Sequence, residues 1–376
     1  MFLFRCGVFS LLSAAVLPAL DFQHDIQIVA KQGRGTAAGR AAWDRVVAGG
    51  PDLLLPLLEA MDTPDTVAAN WLRTAFDQIA DRELSKGGKT LDGDGLLKFA
   101  VDTKRNGRAR RLALELVEKL RPGTSVKLYA GWLEDPEFRY EGVGVLLAEA
   151  RQLAKAGNKD KADANFRKAL DASRDLQQGR DAAAGLLALG VKVSVAEHMG
   201  FLMDWYLIGP FDAGGMKGFT TVYPPELGID LTAEYVGKNG KVKWKRYKVE
   251  EPSPKVNAKH IAMINLAEKR ALGNADDAVA FAYTEIAVAK AMTVEFRGAA
   301  DDNFTVWVNG ERAFGFEEYR NGVRLDRHRF HVKLRAGKNS LLVKVCQSPA
   351  NPEPNWEFIL RVVDLSGRGL AFKNGL

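Results

Sequence analysis

Three polar residues in a row, Asp301, Asp302 and Asn303, stand before an alternating run from Phe304 to Val308 and an Asn309-Gly310 pair. Carboxylates and amides at the head of a strand can pair with sugar hydroxyls, and an aromatic face stacks on a sugar ring. Trp307, Tyr319 and Trp356 are the aromatics to supply that face, with Asp301, Asp302 and Asn309 as polar partners. The same residues have an architectural use. Asp and Asn side chains bond turn backbone and open strands, and a Trp in an alternating strand is buried more often than displayed. The acid pair also leaves room for a structural calcium, with no ligand set assigned; no other cofactor is implied.

Other constellations carry less chemistry. No nucleophile elbow, Ser-His-Asp ordering or metalloprotease helix is present, so no catalytic residue is assigned. Glycosidic cleavage needs two carboxyls about 5–10 Å apart, a pairing that only folding reveals. His328 and His331 lie three apart in a strand, on opposite faces, and make no metal site. Asp92-Gly93-Asp94-Gly95 resembles a calcium loop, but its twelfth position is Thr103 where a bidentate Glu is needed, so it reads as a turn leading a helix. Gly33-Arg34-Gly35 through Gly39 mimics a dinucleotide turn without the following parallel strand and reads as a flexible linker. Lys241–Lys248 interleaves aromatics with cations; alternation makes it an edge strand whose lysines oppose aggregation. Arg105, Arg108, Arg110 and Arg111 form the solvated start of a helix.

The elements that must position these residues change character midway. From Thr36 to Leu202 the apolar spacing is helical, over 41–48, 51–61, 67–82, 95–101, 109–120, 140–156, 159–176 and 180–189. Ala68, Leu72, Ala75, Phe76 and Ile79 recur three or four apart and form one stripe. After Met199 the chain breaks into short alternating runs: 241–249, 279–286, 292–297, 304–308, 329–334, 340–345 and 356–363. Phe304, Val306 and Val308 face away from Thr305 and Trp307, and Asn309-Gly310 signals a type I′ hairpin turn. Helices first and strands afterwards predict a multidomain α-then-β chain, ending in an antiparallel β-sandwich or jelly roll.

Two resemblances refine this. The paired segments Arg40–Val46, Gly50–Met61, Ala69–Ala75 and Arg108–Val117 resemble HEAT-type repeats, which implies an N-terminal α-solenoid with a protein-interaction surface. The strings Gly298–Gly310, Leu334–Lys344 and Asn355–Asp364 look like the galactose-binding-like jelly roll of secreted carbohydrate-active proteins. That likeness implies a carbohydrate or other extracellular polymer as ligand. Together the two halves are similar to exported bacterial HEAT-repeat proteins.

The 376 residues carry 53 basic and 47 acidic side chains, a net +6 with the signs interleaved, which argues against a nucleic-acid partner. Residues 1–20, with Arg5 ahead of an apolar run and small residues near its end, read as a signal peptide. The expected organisation is therefore signal peptide 1–20, linker 21–35, HEAT-like helices 36–202 and sandwich 203–376, with export to the periplasm or outside the cell. No stretch beyond the signal is apolar enough to span a membrane. Cys6 and Cys346 are the two cysteines; loss of the first leaves the second without an intramolecular partner. The functional expectation is a non-catalytic binding or scaffold protein, set against a purely structural module and a carbohydrate hydrolase or lyase with an unfamiliar site.

Overall fold

A computed structural model describes residues 22–254, 261–319, 322–349 and 355–372, so the predicted signal peptide lies outside the described residues. Contacts divide the chain into two compact units, one running to Leu128 and the other from Tyr129 onward.

The first unit is helical: α1 (Phe22–Gln32), α2 (Ala37–Ala48), α3 (Leu54–Ala60), α4 (Thr66–Ser85), α5 (Gly93–Val101) and α6 (Gly107–Leu120). Neighbours pack as pairs α1/α2, α3/α4 and α5/α6, while α4 also meets α1 and α2, and α3 meets α5 and α6. The stripe on α4 is buried, with Ala68, Leu72, Ala75 and Ile79 at 0% exposure. Asp65, Asp92 and Asn106 cap α4, α5 and α6, each accepting backbone N–H groups of the first turn. Phe22–Gln32 is helical where a linker was expected. Ile26 and Val29 bury the inner face of α1, and Asp25 pairs with Arg45 at 2.6 Å. The glycine-rich run is the turn that follows: Gly33 takes a positive φ, Thr36 caps α2, and Arg34 stacks 4.5 Å from the Trp43 ring.

A short α7 (Thr124–Tyr129) leads into the second unit. There α8 (Arg139–Lys155), α9 (Lys159–Ala172) and α10 (Leu176–Ala188) share a core through Val143, Leu147, Phe166 and Leu186. These helices group with the strands, so the break falls inside the helical half of the sequence. The reason is apolar contact: Ala183 of α10 and Val195 and Ala196 of α11 (Val195–His198) pack with Phe201, Ala299 and Ile359.

The strands are β1 (Asp204–Asp212), β2 (Glu234–Gly237), β3 (Gly240–Lys243), β4 (Lys245–Lys248), β5 (Ile264–Asn265) and β6 (Ala278–Val288). They continue with β7 (Met292–Asp301), β8 (Asn303–Val308), β9 (Glu311–Phe316), β10 (His328–Leu334), β11 (Gly337–Gln347) and β12 (Glu357–Val363), and a one-turn α12 (Pro224–Leu227) lies between β1 and β2. Six form one antiparallel sheet in the order β4-β1-β6-β11-β8-β9, and four form a second, β10-β7-β12-β5. Alternation makes them a sandwich. Trp205, Leu207, Phe304, Val306 and Val343 from one sheet meet Val294, Phe296, Phe358 and Leu360 from the other in a single core. The expected single strand 241–249 is split at Trp244. β3 pairs with β2 in a separate ribbon and β4 edges the large sheet, because Trp244 leaves the ladder to pack edge-on against Tyr283.

Candidate functional site

Asp301 and Asp302 sit where β7 passes into β8, and both are buried, at 5% and 2% exposure. Asp302 N–H donates to the Cys346 carbonyl (3.0 Å), and its carboxylate accepts from Ser348 N–H (2.8 Å). Asn303 Oδ1 accepts from Glu318 N–H (2.6 Å), and Tyr319 OH donates to the Met216 carbonyl (2.7 Å). Burial pushes the Tyr319 phenol and the Cys346 thiol up to about 12. Two residues along β11, Lys344 is 1% exposed. Its Nζ donates to Glu226 (2.9 Å) and to the Phe219 and Thr221 carbonyls, 4.9 Å from the Tyr223 ring centroid. The segment from Ala213 to Leu227 thus covers the outer face of the six-stranded sheet beside the loop end.

The remaining predicted site residues do not converge there. Trp356 is fully buried between the sheets and donates from Nε1 to the Val345 carbonyl at 3.3 Å. Trp307 is half-buried against the outer-face cluster of Phe281 and Leu342. Asn309 closes the β8–β9 turn with φ +53°, followed by Gly310 at +83°, and bonds Asn339 and the Ser340 N–H. Six residues of strand separate it from Asn303, roughly 20 Å. Packing or internal hydrogen bonding therefore occupies all six residues, and they share no common surface. An apolar sandwich interior explains Trp356; turn and strand-start bonding explains Asp302 and Asn309.

A different constellation lies on the outer face of the four-stranded sheet. Arg329, Arg297 and Arg361 stand in register across β10, β7 and β12. Their neighbours Phe330, Phe296 and Leu360 point inward, so alternation sends the three guanidinium groups outward together. Like charges directly opposite on a sheet repel. Asp326 relieves part of this, accepting from Arg361 Nε (2.7 Å) and approaching Arg297 at 3.5 Å, and Glu295 holds Arg297 from the same strand. Arg361 is 3% exposed, yet its Nη1 has no partner among the described residues.

The first turns of α8 and α10 face this row and enclose a cavity of about 380 Å³. Arg139 and Tyr140 come from α8, and Gln178 from α10 behind its cap Asp175. Both helices therefore bring their positive ends to it. Arg174, held by the carbonyls of Asp171, Ala172 and Ser173, has its pKa lowered by burial first and then by Arg139 and Arg368. The lining carries Arg139, Arg174, Arg297, Arg329 and Arg361 against Asp175 and Asp326, with Glu295 paired to Arg297, so positive charge is in excess. Guanidinium groups stay protonated and only donate, so what this arrangement offers chemically is hydrogen-bond donors and positive charge.

A larger cavity, about 610 Å³, borders Leu187, Val193 and Pro252, and its Glu251 carboxylate is taken up by Ser194 Oγ and the N–H groups of Val195 and Ala196. Sequence reading missed the arginine row because its members are 32 residues apart. Only their outward parity was legible. Among the described residues, no group of His, Cys, Asp or Glu is placed to hold a metal ion, and no helix is long and apolar enough to cross a membrane.

No family model matches the chain, and no curated protein matches it. Among solved structures it is similar to a GH31 α-xylosidase from Xanthomonas citri, at 13% identity and a TM-score of 0.23. That match covers 44% of this chain and spans 14% of the xylosidase.

Proposed function

We propose that this chain is an exported, non-catalytic binding protein whose second unit holds a carbohydrate or other extracellular polymer in the arginine-lined cavity. The observation that carries the reading is the conjunction of outward-facing donors with Tyr140, 61% exposed at the cavity rim. An exposed phenol beside a fork of donors is the pairing that sugar recognition uses: a ring to stack on and hydrogen bonds to fix orientation. Asp302, first considered for a site, serves the backbone of Ser348 instead. The stacked helix pairs of the first unit supply a surface for a protein partner, in the manner of HEAT-type repeats.

One shallow site of this kind binds at about millimolar strength. Retention on immobilised polysaccharides tests the proposal, with Tyr140→Ala expected to weaken retention about tenfold, as loss of a stacking face of about 1.4 kcal/mol does. Absence of retention on every polysaccharide, neutral or charged, would leave the structural-module reading in its place.

A further inference from the structure

The cavity holds more positive charge than its own acids offset, and the excess is organised. Three guanidinium groups are locked in one row by strand register, and two helix N-termini close over them from the other side. Asp326 saturates Arg361 Nε and Nη2 and leaves Nη1 in a buried position with no partner among the described residues. Arg329, at the open end of the row, has no ion pair among the described residues and is exposed. Neutral hydroxyls do not compensate such a field; an oxyanion does, accepting from several forks at once. The sheet brings donors from one side, and Arg139 and Arg174, though bonded to backbone carbonyls, add positive charge from the other. Charge on two sides suits a tetrahedral oxyanion, whose oxygens point in several directions, better than a planar carboxylate.

We infer that the ligand is an anionic polymer, and that a sulfate or phosphate ester on it seats between the Arg329–Arg297–Arg361 row and the first turns of α8 and α10. This rests on the reading of the cavity as a polymer site and adds its chemical class. Recognition is by charge and geometry, with no bond made or broken.

The test uses the full chain on columns of dextran and of dextran sulfate. Dextran sulfate is expected to retain it at least tenfold more strongly. Inorganic sulfate or phosphate should elute it at an ionic strength where sodium chloride does not, and the more effective of the two anions identifies the ester. Arg329→Gln should weaken retention about tenfold, and Arg329→Lys should recover only part of that, because an ammonium keeps the charge and loses the fork. Lys243→Gln, an equal charge change on the exposed edge of the β2–β3 ribbon, should leave retention unaltered. Arg329 is exposed, so its variants fold, and an unchanged thermal midpoint confirms this.

Equal retention on dextran and dextran sulfate overturns the anionic class while leaving polymer binding in place. Retention on dextran sulfate that falls as much for Lys243→Gln as for Arg329→Gln overturns the seat and reduces the effect to net charge. No retention on either column removes both readings.

Discussion

The loop end of the sandwich and the arginine cavity both collect polar side chains in the second unit, and they treat them in opposite ways. At and beside the loop end, on the outer face of the large sheet, Lys344 meets Glu226 and two carbonyls, and Asp302 meets the backbone of Ser348. Lys344 and Asp302, both buried, spend their polar atoms on partners within the chain. At the cavity, register forces Arg329, Arg297 and Arg361 side by side while Asp326 and Glu295 answer only part of the charge. A cross-strand like-charge pair costs up to about 1 kcal/mol. A fold under selection for stability alone has no reason to keep such a row. The contrast is between polar groups answered fully from within the chain and a row of charge answered only in part.

If that contrast is right, substitutions in the two regions fail in different assays. The largest effect belongs to Lys344. Lys344→Met leaves Glu226 facing a buried aromatic cluster and releases the Phe219 and Thr221 carbonyls, so unfolding in urea should show a loss of about 3 kcal/mol or more. Polymer retention per folded molecule should be unchanged. A stability loss below about 1 kcal/mol would mean that the lysine is not what holds the covering segment in place.

Asp326→Asn comes next and sits on the cavity side. Asn tolerates the left-handed backbone at this position, where φ is +57°, so the change isolates charge. Removing the carboxylate leaves Arg361 and Arg297 facing each other, and stability at low salt should drop by about 2 kcal/mol. Added phosphate should restore more of it in the variant than in the parent, because an anion then replaces a missing counter-charge. Thermal unfolding across a phosphate series reads this directly. Identical phosphate responses in both would break the comparison.

Much of the architecture behind these tests was legible. The α4 stripe could be read from spacing alone, as could the in–out alternation of 304–308 and 330–334 and the Asn309-Gly310 turn, because each depends on local geometry. Three things were not. The helix over Phe22–Gln32 was hidden by the expectation of a linker behind a signal, although Ile26 and Val29 carry its period. The division at Tyr129 depends on which apolar faces meet, Ala183 and Val195 against Ala299 and Ile359. The cavity depends on register: parity places Arg297, Arg329 and Arg361 outward, but only the ladder shows that they are neighbours. The indole of Trp356 teaches the converse, since an aromatic picked for display proved to be core.

The finest test sits one residue before the cavity. His328 precedes Arg329 on β10, and alternation turns it the other way, onto Phe314 and Phe316 at 5.1 and 4.6 Å between ring centroids. Its pKa is lowered, by burial first and then by Arg327, with Glu318 opposing. Protonation is therefore resisted in the folded chain and unhindered in the unfolded one. As pH falls through 6.5, the ordinary histidine value, the unfolded state takes up a proton that the folded state refuses, and stability declines until the lowered folded pKa is passed. His328 is partly open to solvent, so screening keeps the contribution below about 1 kcal/mol. His198, also lowered by burial, adds a decline of the same sign. His328→Phe should remove only its own share of the loss between pH 7 and pH 5, while retention on dextran sulfate at pH 7 stays at the parent level. A change in retention would show that the inward and outward faces of β10 are coupled, and that packing and anion seat are not separable as the two regions suggest.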